Sequence, residues 1–184
     1  VMNLIDGQPL SDIIPTEGME FEKAKPIVEQ LCKAIDHLHS KGIIHRDLKP
    51  ENIIVQRDCT PIILDMGIAK DTTDSNMSQT STGTAMGTPL YMAPEQMDAK
   101  NVTSAADRYA LGLIVYQLLS GEFPWSSTAG PAEILTKKFT GRLESLSQSE
   151  HFNRNAVMDL LHCEASNRPQ TCEIFLIKWL EDLH

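Results

Sequence analysis

Early in the chain, three polar residues flank two short apolar runs, and their types suit one kind of chemistry. Asp47 precedes the runs, Asn52 stands at their entry and Asp65 closes them. Asn52 and Asp65 offer hard oxygen ligands of the sort that suit Mg2+, which keeps several waters and takes phosphate oxygens as its other partners. Asp47 is then left to accept a proton from an incoming hydroxyl. Lys49 sits two residues on, where a compact positive charge could offset charge on a transferred phosphoryl group. The spacing predicts that these side chains converge on one side of a small hairpin.

The flanking elements must deliver that convergence. Ile53–Val55 and Ile62–Leu64 are β-branched or apolar runs joined by a polar turn through Asp58 to Pro61, so they read as the hairpin itself. Ahead of it, residues 22–40 carry Ile27, Leu31, Ala34 and Leu38 at helical spacing, and Lys41-Gly42 supplies a stop. The first fourteen residues read as a short strand, a Gly7/Pro9 turn and a helix start. A second helix, 106–120, is apolar nearly all round and belongs in the middle of a core. Helical stretches at about 131–139, 153–163 and 170–182 complete a mainly α body. Residues 71–84 are rich in Ser and Thr without periodicity and read as a loop.

Composition narrows the function classes. The 184 residues hold 16 basic and 25 acidic side chains, a net charge of −9 that repels phosphate backbones and argues against nucleic-acid binding. The length suits one domain. Four cysteines with no CxxC pair suit neither a disulfide framework nor zinc, and are expected to be reduced thiols in the cytoplasm. The longest apolar run, Leu111–Tyr116, is far too short to span a bilayer, so no membrane partner is expected. His37 and His39 fall on different helix faces, so neither is read as a metal ligand.

His45-Arg46-Asp47-Leu48-Lys49-Pro50-Glu51-Asn52, then Asp65-Met66-Gly67, then Ala93-Pro94-Glu95 follow the order of motifs in the eukaryotic-type protein kinases. With GTPLYMAPE, DRYALG and NRP added, the chain resembles the large C-terminal lobe of a serine/threonine kinase over 1–184, with 65–95 as its activation segment. That resemblance implies a catalytic base at Asp47, a phosphate-contacting lysine at Lys49, and metal ligands at Asn52 and Asp65. It implies ATP and Mg2+ as cofactors and protein substrates as partners, and leaves room for a regulatory protein. Asn3 and Ile5 would hold adenine, with Ile54 beneath the ring. Thr88 and Glu51 would position the substrate. Arg46 is expected to meet a phosphate on Thr84, ranked first among several nearby hydroxyls. Asp107 resembles the residue that ties down the backbone before Asp47, and Glu95 and Arg168 resemble a buried ion pair.

The pattern also departs from the family. Met66 stands for the usual phenylalanine, an apolar exchange that leaves the metal ligand alone. Gln117 stands where kinases directed at basic substrates often carry an acid. No Gly-rich loop or VAIK-type lysine precedes the hinge-like residues 2–5, so these residues alone are expected to bind ATP poorly. The alternative to an enzyme is a kinase-like scaffold that holds other proteins.

Overall fold

The computed structural model of the chain describes residues 6–64, 90–98, 102–147, 149 and 151–181. Three strands form one antiparallel sheet in the order β1 (Gly7–Pro9), β2 (Ile53–Gln56), β3 (Pro61–Ile63). Pro9 faces Ile54 across the β1–β2 ladder, and Ile53 faces Ile63 across β2–β3. Expected as a turn, Gly7–Pro9 is instead the third strand. Gly7 allows it, because a Cβ there would lie 2.6 Å from both the Ile54 side chain and the Val55 carbonyl. Pro9 and Pro61 both occupy edge strands, where a missing N–H disturbs no central ladder.

Around the sheet lie α1 (Leu10–Ile13), α2 (Phe21–Ser40), α3 (Pro94–Met97), α4 (Ala105–Ser120), α5 (Pro131–Thr140), α6 (Arg154–Leu160) and α7 (Cys172–Trp179). The buried stripe of α2 is Ala24, Ile27, Val28, Leu31, Cys32 and Ile35. Ala34 and Leu38, expected on that stripe, are only half-buried, so the helix is rotated from the sequence reading. Thirteen of the sixteen residues of α4 are buried, as its all-round apolar composition requires. Gly112 lets α6 approach, since a Cβ there would sit 2.8 Å from Leu160 and Leu161.

Helix α7 is tied to α2 by its N-terminus. Asp36 accepts the backbone N–H groups of Cys172 and Glu173, each at 2.9 Å, and Thr171 Oγ1 accepts from Ile174. A carboxylate there satisfies orphan donors and the positive end of the helix together. Among the described residues, no helix is long and apolar enough to cross a membrane.

Candidate active site

The segment before β2 is shaped by a carboxylate from some sixty residues further along the chain. Asp107, buried in the first turn of α4, accepts the backbone N–H of Arg46 on Oδ1 at 2.8 Å and that of His45 on Oδ2 at 2.9 Å. His39 Nε2 donates to the same Oδ2 at 2.8 Å. A buried carboxylate needs this many donors to offset its lost hydration. The bonds also hold Arg46 at φ 66°, a left-handed conformation that costs a non-glycine residue about 1–2 kcal/mol. Gln96 secures the other side by donating Nε2–H to the Arg46 carbonyl at 2.7 Å, while its Oε1 accepts from Ala93 N–H at 3.0 Å. His45 Nε2 donates to the Leu64 carbonyl at 3.0 Å, which joins this loop to the end of β3.

Inside that frame, Asn52 orients Asp47. Its buried amide donates Nδ2–H to the Asp47 carbonyl at 2.8 Å and to the Asp47 carboxylate Oδ2 at 3.1 Å. Lys49 Nζ lies 3.3 Å from the same Oδ2. The Asp47 side chain stays 53% exposed, so the pair is worth little to stability yet leaves the carboxylate open to an incoming group. Arg46, Asp47, Lys49 and Glu51 line one cleft of about 280 Å3 with Leu90, Tyr91 and Met92. Tyr91 donates its hydroxyl to Gln117 Oε1. Burial, with the Glu51 carboxylate adding to it, pushes that hydroxyl well above the ordinary tyrosine range.

The donor chemistry fits Mg2+. Both amide bonds of Asn52 use Nδ2, and no hydrogen bond among the described residues engages its Oδ1. Among those residues no group of three or more His, Cys, Asp or Glu gathers. Mg2+ bound with phosphates needs only one or two protein oxygens, so a single amide oxygen plus one carboxylate is enough.

Behind the cleft, Arg168 meets both oxygens of Glu95 at 2.6 and 2.8 Å. It also donates to the carbonyls of His162, Ala105 and Cys163 and lies 4.8 Å from the Tyr109 ring centroid.

Of the residues singled out from sequence, Arg46, Asp47, Lys49, Glu51, Asn52 and Asp107 come together here, and Glu95 pairs with Arg168 below them. Ile54 lies on β2 two residues beyond Asn52, half-buried on the sheet face opposite Ile53 and Val55. Asn3, Ile5, Asp65, Thr84 and Thr88 lie outside the described residues. Sequence reasoning missed His39, Gln96 and Lys138. For Gln96 a signal existed: a glutamine three residues into a helix start is where a side chain returns to the cap. His39 and Lys138 had none, because their partners are distant in the chain.

Residues 1–180 match the protein kinase domain family. The serine/threonine-protein kinase Pkn1 of Myxococcus xanthus is 42% identical over 139 residues, which is 73% of this chain and 20% of that relative. PknB of Mycobacterium tuberculosis is 39% identical over 127 residues, 68% of this chain and 20% of PknB. The kinase pkn2 of Myxococcus xanthus is 33% identical over 181 residues, 93% of this chain and 22% of that relative. The chain thus spans about a fifth of the length of these curated relatives. With a family match across nearly its whole length, the chain belongs to the protein kinase family.

Proposed function

We propose that these residues form the large lobe of a serine/threonine protein kinase, one that moves the γ-phosphoryl group of ATP to hydroxyls of protein substrates. The observation that carries this reading is the Asp47 carboxylate, aligned by Asn52, flanked by Lys49 and open at the mouth of a cleft. In the reaction, the substrate oxygen forms a bond to the γ-phosphorus while the bond to the β–γ bridging oxygen breaks and ADP leaves. The hydroxyl proton goes to Asp47, whose oxygen is held in place by the Asn52 amide. Lys49 supplies positive charge to the transferring group. Mg2+, held by Asn52 and Asp65, would neutralise phosphate charge when bound. Asn3, Ile5 and Ile54 are assigned to adenine, and Glu51 and Thr88 to the substrate. Thr84 is assigned as a phosphorylation site read by Arg46, whose backbone is already pinned. The reading places the protein in the cytoplasm, with a regulatory protein partner as the natural controller of the Thr84 segment.

The test compares the longest natural form of the protein with Asp47→Asn in phosphate transfer from γ-labelled ATP. Incorporation should fall by about 10²–10⁴-fold, the usual worth of a positioned proton acceptor. Equal incorporation in both proteins would leave a protein-binding scaffold as the better reading.

A further inference from the structure

Helix α5 carries an inversion of the usual pattern. Lys138 is 0% exposed, while its neighbour Phe139 is 45% exposed. Lysine is almost never fully buried without partners, because its charge loses hydration that apolar packing does not replace. Here Nζ donates to the carbonyl of Leu90 at 2.5 Å and to that of Met92 at 2.8 Å. It also lies 5.6 Å from the centroid of the Tyr109 ring and 5.4 Å from that of Trp125. Burial pushes its pKa down to about 7. A methionine would fill the same space without that penalty, so filling space does not explain a lysine here.

The carbonyls identify what the charge does. Leu90, Tyr91 and Met92 form one wall of the cleft that holds Asp47. Lys138 grips the backbone on either side of Tyr91, whose own hydroxyl reaches Gln117 and whose ring packs 5.4 Å from Phe123. Charge-assisted bonds to two carbonyls two residues apart restrict both peptide planes of that wall. Two α5-to-wall bonds, one bond from Tyr91 to α4 and its ring contact with Phe123 therefore fix a short segment that has no ladder of its own.

We propose that Lys138 is a positioning residue for the protein substrate: by gripping the Leu90 and Met92 carbonyls it sets the cleft wall against which the peptide around the accepting hydroxyl lies. This rests on the phosphotransfer reading above. Lys138 touches no reacting atom; it acts through residues 90–92.

The test uses the longest natural form with Lys138→Met, assayed on a peptide substrate with ATP varied separately. The peptide KM should rise about tenfold, the scale of one lost charge-assisted hydrogen bond, while the KM for ATP stays within twofold. A peptide KM within twofold of the parent overturns the inference. Parallel loss in both KM values and in thermal stability also overturns it, since that marks a merely structural role. A parent protein that transfers no phosphate to any substrate overturns the phosphotransfer reading itself, and the substrate role with it. Should the variant not fold, carbonyl NMR of the parent decides. The Leu90 and Met92 carbonyl carbons should shift together as the 15N-labelled Lys138 amine loses its proton, and two profiles that stay flat through that titration would overturn the grip.

Discussion

Two cations are buried against the ring of Tyr109, and they are held in different ways. Arg168 meets both oxygens of Glu95 and lies 4.8 Å from the ring centroid. Lys138 donates to two backbone carbonyls and lies 5.6 Å from it. Both hold the stretch between the cleft and α3: Arg168 at Glu95, Lys138 at Leu90 and Met92. A full opposite charge in bidentate geometry repays much of the desolvation of a guanidinium, and Arg keeps its charge under all ordinary conditions. Among the described residues Lys138 meets carbonyl dipoles and ring faces, and burial makes its proton easier to lose. One anchor is permanent, while the other can be loosened by pH.

The sharpest way to break that contrast is to remove the carboxylate. Glu95→Gln leaves a buried guanidinium facing a neutral amide and should cost about 3–5 kcal/mol in denaturant unfolding. A loss under 1 kcal/mol would show that the surrounding carbonyls suffice, and the two anchors would then be alike. The second effect is a slope. Unfolded, Lys138 keeps its proton up to the ordinary lysine value of 10.5, whereas folded it releases it at about 7. The unfolded chain therefore binds more protons between those values, and this site makes stability rise with pH there. The slope should approach about 1.4 kcal/mol per pH unit, with none from this site below the window. Unfolding curves at pH 7, 8 and 9 for the parent and Lys138→Met check it; equal slopes would mean the ammonium is not desolvated. The smallest effect tests the link between the wall's end and the loop before β2. Gln96→Ala removes the bonds to Arg46 and Ala93 and should cost about 1–2 kcal/mol, because the buried Ala93 N–H loses its acceptor while the Arg46 carbonyl can recover water. A loss above 3 kcal/mol would place this link on a par with the ion pair.

Much of the candidate site could be read from the chain because its members are neighbours in sequence. Arg46, Asp47, Lys49, Glu51 and Asn52 fall within seven positions, so any turn that brings one to the cleft brings the rest. The bulk of α4 was equally legible, since an apolar helix without a polar face has only the core to occupy. The third strand was not. Nothing in Gly7-Gln8-Pro9 announces pairing, and it forms because the edge of β2 is open and Gly7 lets the backbones close.

Sequence alone determined the family, the mainly α body and the polar residues ahead of the hairpin, because periodicity and contiguous motifs are local properties. Only the tertiary structure decided which charges are buried and what they hold. Lys138 and Phe139 sit side by side, and local pattern would send the lysine out and the phenylalanine in. The reverse holds because the carbonyls of Leu90 and Met92 and the rings of Tyr109 and Trp125 reach that point from other parts of the chain. A charge enters a core only where distant groups are already placed to receive it, and their arrival is not written in the spacing of any one segment.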